Sequence, residues 1–355
     1  MIAKTDYDVI NIIMRGQPFT KGHGAQIKRA ASLAETVVVL LGSSNRIRGQ
    51  RNPFTFEERK GLVKAFLISE KIDVARVRIL PLPDRVYDLP AWLGQVQALV
   101  KHALFDRPFA SRIAIAGHET DNSAEYRRLF PQWDFLPMPG AKEIEATQLR
   151  TRYLAGSVNF DDWWEERAPE STIEFLHAFR GTHAYGELLS DREAIEVNRA
   201  KYGEGPFIAG DAMLVQSGNV LMVARGKRPN IGAWALPGGF MDVERKETLY
   251  ECAVRELFEE TAIGETGLTR RDLDAFYRGR DTFDDPYRSE RGRILSGAFI
   301  FELPPAFSLP MVRGTDDAAD AFWKPLADID PTMMFDDHAF IIETLLPRLQ
   351  NPKGR

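Results

Sequence analysis

Cysteine is nearly absent: Cys252 is the one thiol in 355 residues. A single cysteine excludes an intrachain disulfide and suits a reducing compartment, so a cytoplasmic location is expected. Long apolar runs are missing as well, and no uncharged stretch approaches the roughly 20 residues of a membrane span. The opening "MIAKTDYDVINII" lacks a basic region followed by an apolar core and a cleavage site, so neither a secretory signal nor a membrane partner is expected. A large excess of either sign of charge is missing too. Lys and Arg number 46 against 51 Asp and Glu, a net charge of −5, which argues against nonspecific nucleic-acid binding. Internal repeats and low-complexity tracts are absent. What remains is an ordinary globular composition, 44% hydrophobic and 27% charged, on a chain long enough for two domains.

The two halves follow different patterns. In the first, the apolar runs "DVINIIM", "TVVVLLG", "VRILPLP", "RIAIAGH" and "WDFLPMP" alternate with helical patterns such as "GAQIKRAASLAE" and "TFEERKGLVKAFLI". Uninterrupted apolar strands alternating with helices predict an α/β fold, a parallel sheet covered on both faces. Ligands of such sheets bind beyond the carboxyl ends of the strands. Here those ends read "RGQPFTKGH", "GSSNRIRG", "PDRVYD" and "GHETDNS", polar and rich in Gly and Pro. A polar helical stretch follows, whose later part is read as a connector carrying no motif. Beyond "GEGP" the chain turns strand-rich, with a hairpin expected across Ser217-Gly218-Asn219. Mixed strands around one strong helix predict an α+β second domain. The expected boundaries are 1–185 for the first domain, 186–205 for a helical linker and 206–350 for the second.

The strongest chemical signal is "LPGGFMDVERKETLYECAVRELFEETAI", Leu236 to Ile263. Leu249, Cys252 and Ala253 fall at i, i+3 and i+4 of a helix and would face a core. The same stripe continues onto Glu256 and Glu260, with Glu259 beside them. Clustered, partly desolvated carboxylates repel unless a cation or proton intervenes, and hard oxygen ligands suit Mg²⁺ or Mn²⁺. The stretch resembles the Nudix box, G-x5-E-x7-R-E-U-x-E-E-x-G-U, with Glu247, Arg255, Glu256, Leu257, Glu259, Glu260 and Ile263 in register. Two departures stand out: Gly239 lies eight residues before Glu247 instead of six, and Ala262 replaces the last glycine. The resemblance implies Glu256 and Glu260 as metal ligands, with Glu259 assisting in metal binding and catalysis, and the Gly239 carbonyl as a further ligand. It pairs Glu247 with Arg255. "FDDPYRSERGR" resembles a segment of Nudix proteins acting on ADP-ribose, which implies Arg255, Arg288, Arg291 and Arg293 as ADP-ribose contacts. "RGTDDAADAFW" stands where such hydrolases carry a general base, implying Asp316 or Asp317.

"QPFTKGH" leaves the first apolar strand through a turn and sets Thr20 and His23 three apart at a helix start. It resembles the (H/T)-x-G-H signature of nucleotidylyltransferases. "NPFTFEER", "GHETDNSAEYRRLFPQWDF" and "IEATQLR" follow in the order found in nicotinamide-mononucleotide (NMN) adenylyltransferases, with Glu145 where a serine is usual. The resemblance is to the type fused to a Nudix domain. It implies a Rossmann-like first domain, with His23, Thr20 and Arg150 catalytic. Arg15, Gln17, Lys21, Gly22, Gly117, Trp133, Thr147 and Arg150 would bind the nucleotides, Trp133 by stacking on nicotinamide. Glu145 would add negative charge beside the polyphosphate.

The expected function is therefore bifunctional. ATP as substrate would adenylylate NMN to NAD, and ADP-ribose would be hydrolysed to AMP and ribose 5-phosphate with Mg²⁺ or Mn²⁺ as cofactor. Partners are these small nucleotides, with a homo-oligomer allowed. The alternatives are a chain with one live domain, a Nudix hydrolase on a structural first half, and a non-enzymatic NAD-metabolite sensor. The intact glutamate cluster and the short tail after "FDDHAFIIETLLPRL" argue against the sensor.

Overall fold

Val, Ile and Leu on consecutive strand positions leave both strand faces apolar, so such a strand is stable only with cover on each side. The computed structural model, which describes residues 5–106, 111–118, 122–138, 146–156 and 159–350, shows that arrangement. Its internal contacts divide the chain into two units, Met1–Leu189 and Ser190–Arg355.

In the first unit, β1 (Tyr7–Met14), β2 (Ala34–Leu41), β3 (Val77–Pro81), β4 (Ile113–Gly117) and β5 (Asp134–Pro137) form a five-stranded parallel sheet in the order β3-β2-β1-β4-β5. Ile10, Ile12, Val37 and Val39 pack on one face with Ile27 of α1 (Lys21–Leu33) and Leu62, Val63 and Phe66 of α2 (Phe56–Ser69). Val9, Val38, Leu40 and Ile115 pack on the other with Val96 and Val100 of α3 (Leu89–Ala103). Strand order reverses between β1 and β4, so the crevice for a ligand opens at the carboxyl ends of those two strands. The short α4 (Tyr126–Leu129) leads into β5.

After the sheet come α5 (Ala146–Tyr153), α6 (Asp162–Arg167), α7 (Glu170–Phe179) and α8 (His183–Tyr202). This stretch looks polar in sequence, yet Tyr153, Trp164, Leu176, Phe179, Tyr185 and Leu188 close around Phe54 as an apolar cluster. Most of the expected linker, 186–205, lies in α8, and the division between units falls within that helix.

The second unit is built on a mixed sheet of β10 (Tyr277–Phe283), β11 (Ile294–Glu302), β6 (Phe207–Gln216), β7 (Asn219–Arg225) and β12 (Ala318–Pro325), in that order. β8 (Trp234–Ala235) pairs with β7, and β9 (Gly238–Phe240) pairs with β6. The β6–β7 hairpin turns on Ser217 and Gly218, both at positive φ (49° and 76°), with Gln216 paired to Asn219. α9 (Leu249–Thr261) starts at the N-cap Thr248, whose hydroxyl accepts from the Glu251 N–H in a capping box. Cys252, Ala253, Val254 and Leu257 are buried, and the helix lies directly on β6. Gly210 permits this, because a Cβ there would stand 2.8 Å from both the Leu249 carbonyl and the Ala253 nitrogen. α10 (Arg270–Phe276), α11 (His338–Leu345) and α12 (Pro347–Gln350) complete the unit. Among the described residues no helix is long and apolar enough to cross a membrane.

Candidate active sites

Thr20 is the N-cap of α1, and His23 is the third residue of that helix. The Thr20 hydroxyl accepts from the His23 backbone N–H at 3.3 Å, while the His23 Nδ1 accepts from the Thr20 backbone N–H at 3.0 Å. An Nδ1 that accepts leaves the ring proton on Nε2. Burial, with His118 as a lesser cause, lowers the His23 pKa to about 4, so the ring is neutral at pH 7. The turn thus presents a neutral N–H donor beside the free backbone amides of a helix start.

Arg150 on α5 donates to the Gln17 carbonyl at 2.8 Å and to the Thr147 hydroxyl at 3.4 Å, which brings the late helix to the early turn. Lys21 is exposed in the first turn of α1, and Gly22 beside it is half-buried. Arg15 donates to Asn52 Oδ1 at 2.7 Å and to the Arg51 carbonyl at 3.0 Å, tying in the "NPFTFEER" loop. Gly117 ends β4 where a Cβ would lie 2.9 Å from the Ser123 carbonyl and hydroxyl oxygens. The Gln17 side chain is engaged elsewhere: its amide donates to the Phe54 carbonyl at 2.8 Å and accepts from the Phe54 N–H at 3.0 Å. It holds the loop, and its backbone carbonyl holds Arg150. One face of Trp133 is covered by Phe130, stacked at 5.0 Å and 14°. Glu145 lies outside the described residues.

In the second unit Glu256 and Glu260 are both nearly buried (9% and 8% exposed), and burial raises both carboxyl groups, Glu260 to about 8. Glu260 accepts from the Gly238 N–H at 3.0 Å. Glu256 lies so close over Gly239 that a Cβ there would displace its carboxylate. The Gly239 carbonyl accepts from the Cys252 thiol at 3.6 Å. Arg255 donates to Glu247 at 2.7 and 2.9 Å, to Glu256 at 2.6 Å and to Glu259 at 2.9 Å. Those bonds hold Glu247 down at about 2 and raise the Arg255 guanidinium. Arg255 therefore organises the glutamates; its donors are engaged there and not held open for ADP-ribose. Glu259 faces Arg255 and, at 3.6 Å, Arg245.

The two residues added before Glu247 are absorbed in the turn 241–248, where Asp242 accepts from the Glu244 N–H and its own N–H donates to Glu247. Ala262, standing for the usual glycine, takes the left-handed conformation at φ 51°. Among the described residues no group of three or more His, Cys, Asp or Glu is poised as a complete metal cage, since Arg255 draws Glu256 and Glu259 toward itself. Two buried oxygen donors still fit a hard divalent ion, because such ions fill their remaining positions with water and substrate phosphate.

Glu256 and Glu260 line a cavity of about 610 Å³ together with Asp211, Arg225, Arg291 and His338. Asp211 accepts from the Ser296 hydroxyl. The His338 Nδ1 accepts from the Leu236 N–H at 3.0 Å, and burial lowers its pKa. Phe335 is stacked by Arg225 at 3.7 Å and Arg291 at 4.8 Å. Burial, then Arg291, lowers Arg225 to about 10. Arg288 reaches the cavity but is 6% exposed, and Asp337 takes its Nε at 2.9 Å and one terminal nitrogen at 2.8 Å. Arg288 is thus fixed by an acid instead of standing open to phosphate. Arg293 donates to the Asp284 carbonyl at 2.5 Å. Asp316 is exposed on the cavity rim at φ 54°, whereas Asp317 is ion-paired with Lys227.

Sequence reasoning missed several of these groups. Arg59 is 1% exposed and donates to the Arg15 and Gly42 carbonyls at 2.6 and 2.7 Å, locking the ends of β1 and β2 to α2. His118 follows β4 and meets Gln26 of α1 at 2.7 Å, beside His23. The polar end of "RIAIAGH" signalled His118, and the lone acid inside "FIAGDAMLV" signalled Asp211. Nothing in local sequence pointed to His338.

Family models agree with this division: residues 17–152 match Cytidylyltransferase-like and 207–345 match NUDIX domain. A nicotinamide/nicotinic acid mononucleotide adenylyltransferase of Acinetobacter baylyi is 33% identical over 183 residues, 51% of this chain and 92% of that protein. A nicotinamide-nucleotide adenylyltransferase of Thermoplasma acidophilum is 29% identical over 188 residues, 52% of this chain and 93% of that protein. Among solved structures, a bifunctional NMN adenylyltransferase/ADP ribose pyrophosphatase of Francisella tularensis, complexed with AMP and a manganese ion, superposes with a TM-score of 0.85. It is 32% identical, over 96% of this chain and 99% of that one. With both halves matched in order along nearly the whole length, the chain belongs to the family of bifunctional NMN adenylyltransferase/ADP-ribose pyrophosphatases.

Proposed function

We propose that the first unit transfers adenylate from ATP to NMN, giving NAD and pyrophosphate, and that the second hydrolyses ADP-ribose to AMP and ribose 5-phosphate. The observation that carries this reading is the presence on one chain of a neutral His23 donor at a helix start and a buried glutamate pair at a cavity. In the first reaction a phosphate oxygen of NMN attacks the α-phosphorus of ATP and the bond to pyrophosphate breaks. No covalent enzyme intermediate is needed, so positioning and charge stabilisation carry the rate. The His23 Nε2–H donates to the phosphate oxygens on which charge develops. Arg150, aimed by the Gln17 carbonyl, supplies a cationic donor from α5.

In the second reaction Glu256 and Glu260 would hold Mg²⁺ or Mn²⁺, which when bound neutralises phosphate oxygens and acidifies water. Asp316, exposed on the rim and without the lysine that engages Asp317, takes the proton from the attacking water. Water oxygen bonds to one phosphorus and the bridging P–O bond breaks. Small nucleotides are then the substrates and products of both reactions, and a chain with a single cysteine is compatible with a reducing, cytoplasmic setting. The test is product chromatography: ATP and NMN should yield NAD, and ADP-ribose should yield AMP in Mg²⁺ or Mn²⁺ but not in excess chelator. Undiminished cleavage in chelator would overturn the metal assignment.

A further inference from the structure

Asp191, Ile195, Asn198 and Tyr202 of α8 fall at i, i+4, i+7 and i+11, one face of the helix. The first two anchor that face. Asp191 is 5% exposed and accepts from Arg228 at 2.7 Å and from the Asn230 N–H at 3.0 Å; Ile195 is buried. The face then continues into the Nudix cavity, which Asn198 and Tyr202 line. The helix that reads as a motif-free connector is therefore part of the cavity wall.

On the ADP-ribose reading the cavity takes a diphosphate, two riboses and one flat, largely apolar base. An aromatic ring with an open face is the matching surface. Phe335 is excluded, because it is buried and holds Arg225 and Arg291. Phe240, 45% exposed, meets Phe207 at 5.4 Å and Arg291 at 5.4 Å. Tyr202 is 60% exposed, and the Lys201 ammonium lies 4.7 Å from its ring centroid. We propose that Tyr202 of the connecting helix is the stacking residue for the nucleobase of the Nudix substrate, with the Asn198 amide one turn away facing the same ligand. The proposal deepens the ADP-ribose reading of the cavity and rests on it.

The experiment is calorimetric binding of ADP-ribose to the full chain in chelator, where no turnover interferes, with ribose 5-phosphate as the base-free probe. Tyr202→Ala should weaken ADP-ribose binding by about 5- to 150-fold, the range expected for a lost base stack. It should leave ribose 5-phosphate binding unchanged, and Tyr202→Phe should bind ADP-ribose within about twofold of the parent because the ring remains. Wild-type affinity in Tyr202→Ala, an equal loss for ribose 5-phosphate, or no ADP-ribose binding by the parent would each overturn the proposal. If ADP-ribose binds in a Tyr202-dependent way yet is not cleaved when Mg²⁺ or Mn²⁺ is added, the stacking assignment stands and the hydrolase reading fails.

Discussion

In the proposed reactions His23 would meet phosphate as a neutral donor, whereas Glu256 and Glu260 are buried acids that would meet it across a cation or a proton. The same contrast runs through the residues around them. The first site is held by backbone carbonyls: Gln17 aims Arg150, and Arg15 and Gly42 fix Arg59. The second is held by ion pairs, Arg255 with three glutamates and Arg288 with Asp337. A site whose arginines are held by neutral carbonyls depends on geometry, and losing one of its cations leaves no opposite charge stranded. In a site organised by buried ion pairs, removing one partner strands the other.

The sharpest way to break that contrast is Asp337→Ala, which leaves Arg288 buried without its acid. Breaking a buried pair typically costs about 3–5 kcal/mol. Hydrolysis should be lost on heating well before NAD synthesis, and the double variant Arg288→Met/Asp337→Leu should recover much of the loss. Activity-versus-temperature curves for both reactions measure this; coincident loss would show that the pair does not stabilise the second unit specifically.

Next in size is the crossed lesion. His23→Ala removes one transition-state donor and should slow NAD synthesis by about 10²–10³, with ADP-ribose hydrolysis within a few-fold. Glu260→Gln keeps the size but removes the carboxylate that would ligate the metal, and should do the opposite. Both activities are assayed on both variants with folding checked by melting. Loss of both reactions in either folded variant would merge the two sites into one.

The smallest effect separates two neighbours. Asp316→Asn should slow hydrolysis by about 10² if it is the general base. Asp317→Asn removes only a largely exposed pair with Lys227, worth at most about 1 kcal/mol, so its rate should stay within a few-fold. Reversed outcomes in steady-state rates would move the base to Asp317.

The strands and the glutamate helix were legible because their signals are local. "TVVVLLG" needs cover on both faces wherever it sits, and the stripe from Leu249 to Glu260 is set by 3.6-residue periodicity alone. Arg288 was legible as an arginine in the right segment but not as the partner of Asp337, which lies 49 residues away. Arg255 was read both as a glutamate partner and as a ligand contact, and the structure engages its donors with the glutamates. His338, Asp211 and the exposed end of α8 are joined only by packing. The α8 stripe contains an acid, an isoleucine, an amide and a tyrosine, so no hydrophobic period marks it. Composition made α8 look like a connector, and the face it turns to the cavity became visible only once Asp191 had a partner.

The hydrogen bond from the Thr20 N–H to His23 Nδ1 closes the first turn of α1 and also fixes which ring nitrogen carries the proton. Helix ends fray with free energies far below that of global unfolding. Each fraying event at this end releases the imidazole to either tautomer and takes the donor away from phosphate. NAD synthesis should therefore respond to local melting of a single turn. On warming, it should decline while the sheet beneath remains folded, in step with amide exchange at Thr20 rather than with the main unfolding transition.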